Sequence, residues 1–227
     1  MARTARASVG GVCSHVINRG NGGAVVFHDD ADYAAFLRLI DEACARLPMR
    51  LLGYALMPNH FHLVLWPKGD GDLSRWMQWL MTAHVRRHHR GHGTSGHLWQ
   101  GRFKSFPIQR DAHLLTVLRY VEQNPLRPGL VAHAQDWPWS SLVGRRRSGR
   151  KPVVTDSPVP LPRDWRAQVN RPLSPAELER LRQSVNREAP FGTETWALRT
   201  AKRLGLESSL RPRGRPRKSP SRRRAGV

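Results

Sequence analysis

Hydrophobic and polar positions along the chain change period in a regular order. The stretch "CSHVINRG", residues 13–20, alternates and closes in a Gly/Asn turn, which predicts a first strand. In "DDADYAAFLRLIDEACARL", residues 29–47, Tyr33, Phe36, Leu37, Ile40, Cys44 and Leu47 recur at helical spacing, with Asp29 or Asp30 as cap. "RLLGYALM" and "FHLVLW" read as two strands joined by a tight turn at "MPNH". A second amphipathic helix follows in "GDLSRWMQWLMTAHVRRHH", where Leu73, Trp76, Met77, Leu80, Met81 and His84 share a face. "HLWQGRFKSFPIQ" reads as a strand region entered through the flexible "RGHGTSG". "DAHLLTVLRYVEQN" reads as a third helix, capped by Asp111 and stopped by Pro125.

The order is β-α-β-β-α-β with one more helix. It predicts an α+β fold of the ferredoxin-like, split-βαβ kind: an antiparallel sheet with helices on one face. This unit occupies residues 1–144. Residues 145–170 are a Pro- and Arg-rich connector, and residues 171–210 a small helical appendage in which Ser174 caps a helix that starts at Pro175. Residues 211–227 form a tail with eight Lys or Arg and no acid, expected to be disordered when free. No internal repeat is present.

Charge narrows the class of partner. The 227 residues carry 38 Lys and Arg against 17 Asp and Glu, a formal net charge of +21. Such an excess points to nucleic acid, because neutralising phosphates releases counterions and drives binding. An anionic membrane surface is the weaker alternative. No apolar run reaches transmembrane length, and the basic N-terminus lacks the apolar core of a signal peptide. The two cysteines, Cys13 and Cys44, form no C-x-x-C pair and read as reduced thiols of a cytoplasmic protein.

Two pieces of chemistry stand out. His60 and His62 alternate on a predicted strand and so point to one face, where two imidazoles can share a divalent cation or keep separate hydrogen-bond partners. Tyr120 and Asn124 are four residues apart on the third helix, beside its apolar stripe. Each pair alone is ordinary. Together they fit metal-assisted attack on a phosphodiester: a phenol, with a reference pKa of about 10, is a weak nucleophile at neutral pH, and a metal polarising the phosphate supplies activation. A covalent link to tyrosine would conserve the bond energy for rejoining.

At these residues the chain resembles a known family. "MPNHFHLVL" is similar to the histidine-hydrophobic-histidine (HUH) motif of single-tyrosine transposases, and "RYVEQNPLRPGLV" to their catalytic-tyrosine helix. "HVINRGN", "LWQGRFKS" and "DWPWSS" resemble stretches of the REP-associated tyrosine transposases. The resemblance covers roughly residues 9–144. It implies a ferredoxin-like nuclease domain in which His60 and His62 bind Mg²⁺ or Mn²⁺. Asn124 matches the third-ligand position, where insertion-sequence members more often carry Gln. Tyr120 matches the nucleophile, attacking single-stranded DNA near a palindromic hairpin to form a 5′-phosphotyrosine and release a 3′-hydroxyl. The implied assembly is a monomer or a homodimer, and the implied location is the cytoplasm, in association with the nucleoid.

Further residues are candidates for DNA contact. Arg86, Arg87 and Arg90 lie in the His-rich region of His84, His88, His89, His92 and His97, which reads as a basic face on DNA. His84 and His88, four apart on a helix, offer a more distant zinc reading. Trp99 and Phe103 can stack on bases or pack in a core, with Arg102 and Lys104 holding the backbone. In the tail, Arg213 and Arg215 belong to "RPRGRPRK", which resembles an AT-hook laid in a narrow A·T-rich minor groove. The alternative function, from another class, is a non-catalytic nucleic-acid-binding module on the same fold.

Overall fold

A computed structural model describes residues 8–144, 152 and 154–211. Its centre is a four-stranded antiparallel sheet in the order β2-β3-β1-β4, built from β1 (Cys13–Arg19), β2 (Met49–Met57), β3 (His60–Pro67) and β4 (Lys104–Ile108). The expected split-βαβ strand order is therefore present, but helices cover both faces of the sheet and not one, because alternate strand residues are apolar on both sides.

Helices α1 (Asp30–Arg46) and α2 (Asp72–His92) cover one face of the sheet. Asp29 caps α1, its side chain accepting from the Asp32 N–H at 2.9 Å. Phe36, Ile40, Trp76, Met77 and Leu80 meet Val16, Phe61, Leu63 and Leu65 from the strands in a first core. The third helix, α3 (Ala112–Glu122), lies on the other face, where Leu114, Val117, Leu118 and Val121 pack on Cys13, Val64 and Phe106 in a second core. A bulge between Leu51 and Gly53 shifts the register of β2. It sends Leu51 and Tyr54 into the first core and Leu52 and Ala55 into the second.

The strand expected over residues 97–109 is shorter than the sequence suggests. Only Lys104–Ile108 pairs as β4, and Trp99 makes a single bridge to Gly20. Trp99 and Phe103 both turn into the first core, so the segment before β4 plugs that core instead of alternating.

Both edges of the sheet are covered. Beside β2, Leu56 donates its N–H to the Trp139 carbonyl, and the Trp137 indole donates to the Leu56 carbonyl at 2.8 Å. Beside β4, Phe191 and Pro107–Gln109 exchange backbone bonds at 2.8 and 2.9 Å. A covered edge cannot template pairing with another chain.

The C-terminal segment packs on the second face. Within the stretch read as a connector, Trp165–Asn170 forms a short helix, α5, which follows the one-turn α4 (Ser141–Gly144). Helices α6 (Pro175–Arg187), α7 (Glu194–Leu204) and α8 (Glu207–Leu210) complete the described chain, and Ser174 with Glu177 forms a full capping box at the start of α6. Among the described residues, no helix is long and apolar enough to cross a membrane.

Candidate active site

The alternation of β3 decides where its histidines go. Phe61, Leu63 and Leu65 enter the first core, so His60, His62 and Val64 face α3. His60 and His62 have ring centroids 5.0 Å apart. His62 is buried at 2% exposure, and its ring meets the Tyr120 ring edge-on with centroids 5.7 Å apart. Asn124 stands one turn beyond Tyr120, at the start of the 3-10 turn that ends α3. Its amide nitrogen donates to the Tyr120 carbonyl at 3.3 Å, and its side chain is in contact with His60. The four expected residues, His60, His62, Tyr120 and Asn124, thus converge.

Three further residues shape this group. His15 on β1, fully buried, stacks on His62, and His15 Nε2 lies 2.8 Å from His62 Nδ1. Asn59 Oδ1 lies 2.7 Å from His60 Nδ1. Arg127 places its guanidinium 4.0 Å from the centre of the Tyr120 ring. Local sequence pattern marks none of the three as a site residue. All three lie in stretches that carry the family resemblance, His15 in "HVINRGN", Asn59 in "MPNHFHLVL" and Arg127 in "RYVEQNPLRPGLV", but which groups they meet depends on strand pairing and helix packing.

Electrostatics keep the imidazoles neutral. Burial lowers the His60 pKa to about 4, with the Arg19 guanidinium adding to the effect. Burial likewise holds His62 well below its ordinary value, reinforced by His15, His60 and Arg127. His15 is pushed down to about 3 by burial. Neutral imidazoles offer lone pairs, the form in which they bind metals. A divalent ion also needs the free lone pair to be the one aimed at it. If His62 binds through Nε2, its proton sits on Nδ1 and is donated to His15 Nε2. The remaining proton of His15 then lies on Nδ1, which is buried without a hydrogen-bond partner. Two neutral imidazoles and an amide oxygen therefore suit a divalent cation.

The other candidates divide. Arg102 and Lys104 line a cavity of about 360 Å³ together with Arg19, which is next to His60. Arg86, Arg87 and Arg90 are carried by α2, on the opposite side of the sheet from Tyr120. Trp99 and Phe103 are each only 6% exposed. The Trp99 ring contacts Phe27, Phe36, Phe61 and His84, which corrects the expectation that it stacks on bases: its faces are already occupied by the core. Arg213 and Arg215 lie outside the described residues. His84 is buried among Phe27, Phe36 and Trp99.

A family model described as "Transposase IS200 like" matches residues 8–124, just over half of the chain. The chain belongs to this family. The matched range runs through His60, His62 and Tyr120 and ends at Asn124. A REP-associated tyrosine transposase of Escherichia coli strain K12 is 27% identical over 109 residues, which cover 47% of this chain and 62% of that protein. A Haemophilus influenzae protein that carries the same name provisionally is 28% identical over 112 residues, covering 44% of this chain and 63% of its own length. The chain thus spans less than two thirds of these curated relatives. The solved structure of a REP-associated tyrosine transposase bound to a REP hairpin superposes with a TM-score of 0.55 at 23% identity, covering 69% of this chain and 94% of that one. That likeness shows that the two share a fold.

Proposed function

We propose that this IS200-like transposase family member is a metal-dependent endonuclease and strand transferase of single-stranded DNA that acts beside palindromic hairpins. The observation that carries the reading is the meeting of His60, His62 and Asn124 with Tyr120 across one sheet face. Its relatives' name and the hairpin held by its structural neighbour support the choice of substrate.

His60, His62 and Asn124 would hold Mg²⁺ or Mn²⁺, which when bound polarises the phosphate and stabilises charge on its oxygens. The residues of the chain do the rest. Tyr120 Oη attacks phosphorus and loses its proton. The bond from phosphorus to the 3′ oxygen breaks, and that oxygen takes up a proton as the 3′-hydroxyl. The 5′ side stays on the enzyme as a phosphotyrosine, and reversal with another 3′-hydroxyl rejoins the strand. Arg127 fixes the phenol ring from above. Arg19, Arg102 and Lys104 hold phosphates leading to the site, and the basic tail beyond residue 210 adds affinity without setting the cleavage position.

A His60→Ala variant, alone and with His62→Ala, tests the reading with a hairpin-bearing single strand in Mn²⁺. Binding should persist while cleavage falls by at least about 100-fold, on the order of a lost metal's contribution of several kcal/mol. Cleavage at the unaltered rate would leave a binding module whose nuclease activity lies elsewhere.

A further inference from the structure

A second histidine cluster lies on the other face of the sheet. His28 comes from the loop before α1, and His88 and His92 lie one turn apart on α2. One ring nitrogen from each falls within 4.8 Å of the others. Their ring centroids are 4.4 Å apart for His88 and His92, 4.8 Å for His28 and His92, and 5.7 Å for His28 and His88. Asp32 on α1 borders the same spot: its carboxylate oxygens lie 3.0 and 3.1 Å from His92 Nε2, and Oδ2 accepts the His28 N–H at 2.9 Å.

His88 is the decisive member. It is 7% exposed, and both of its ring nitrogens are buried without a hydrogen-bond partner. A buried imidazole without partners costs free energy that a protein does not normally leave uncompensated. Asp32, which pairs with His92 and the His28 N–H, leaves both His88 ring nitrogens unsatisfied. A bound cation uses the free lone pair.

We infer that His28, His88 and His92, with Asp32 beside them, form a binding site for a borderline transition-metal ion of the Zn²⁺ kind. Three imidazoles suit Zn²⁺ with its fourth position open to water, and are a poor set for Mg²⁺, which prefers oxygen ligands. The site is separate from the His60–His62 pair, and the inference goes beyond the proposed cleavage chemistry because it needs no catalysis. Its structural effect is a clasp. It ties the loop before α1 to the C-terminal end of α2. That loop also carries Val26 and Phe27, whose N–H groups donate to the Pro58 carbonyl in the turn just before His60. The sequence-level pairing of His84 with His88 gives way to His88 with His92, because His84 is enclosed by aromatic rings.

The test uses the full chain carrying His60→Ala and His62→Ala, stripped of metal and titrated with Zn²⁺ by calorimetry and with Co²⁺ by absorption. The expected result is one equivalent bound, with the visible bands of tetrahedral Co²⁺. Adding His28→Ala and His92→Ala should abolish that equivalent, while the metal-free melting temperature falls only by the small cost of the lost His92–Asp32 pair. Wild-type histidines at the cluster should also give a melting temperature that rises on adding Zn²⁺, an increase absent from the quadruple variant. Absence of binding in the starting protein, or an equivalent that survives loss of His28 and His92, would overturn the site. Both readouts report metal occupancy, so they stand whether or not Tyr120 cleaves DNA.

Discussion

At His15 and His62, two buried rings share one hydrogen bond, and the direction of that bond sets which nitrogen of His62 keeps a lone pair for the proposed metal. His15 is a positioning residue in this account. His15→Phe keeps a ring in place and removes the acceptor, and Mn²⁺ affinity should fall about 10–100-fold, as for other partners that orient metal ligands. His15→Gln, which offers an acceptor oxygen, should restore most of it; equal affinity in all three proteins would reduce His15 to packing. Cys13 makes a separate prediction. Burial raises its pKa from 9.0 to about 12, so the native thiol should resist iodoacetamide at pH 8 while the unfolded chain reacts. The native state then holds the proton more tightly than the unfolded state. The corresponding stability is complete below pH 9 and is lost as pH rises towards about 12. Urea midpoints measured from about pH 8 upward should therefore fall, and a Cys13→Ala variant should fall less.

The elements are held in place by a few buried polar joints. Glu122 at the end of α3 is fully buried, accepting from the Ser141 hydroxyl at 2.5 Å and from the Trp165 indole at 2.7 Å. Ser141 in turn accepts the Tyr54 N–H at 3.0 Å, so one carboxylate connects α3, α4, α5 and β2. Glu122→Ala strands two buried donors and should destabilise the fold by about 2–6 kcal/mol, at about 1–3 kcal/mol for each. Ser174→Ala, which removes only an exposed cap, should cost about 1 kcal/mol, and urea unfolding of the two variants compares them. At this scale the sequence was largely legible. The period-2 and helical patterns located β1, β2, β3 and the first three helices, and alternation alone put His60 and His62 on one face. It was less informative at Trp99 and Phe103, where aromatic residues look the same in a strand and in a core plug. It missed α5, because the six residues Trp165–Asn170 are too few to display a helical period. His15 and the His28–His88–His92 group were beyond it for another reason. Their partners are set by strand pairing and helix packing across long separations, and no local pattern encodes these.

The whole molecule places its proposed chemistry on one side of the sheet and its histidine clasp on the other. The sheet edges are closed by Trp139 and Phe191, and the C-terminal helices share the second core with α3, so the helix that carries Tyr120 is braced from both sides. The basic tail is proposed to act by neutralising phosphates. Removing the residues after Leu210 should lower the slope of log affinity against log salt by about 0.7 for each single-strand phosphate that the shortened protein leaves unneutralised, with the cleavage position unchanged. An unchanged slope would assign the tail no part in binding. The central claim is that Tyr120 becomes covalently joined to DNA. Incubating the protein with a hairpin-bearing single strand and Mn²⁺, then mapping the denatured product by peptide mass spectrometry, tests it most directly. The account predicts a nucleotide-linked peptide modified at Tyr120 that is absent from Tyr120→Phe; an adduct that persists in Tyr120→Phe, or one mapped to another residue, would contradict it.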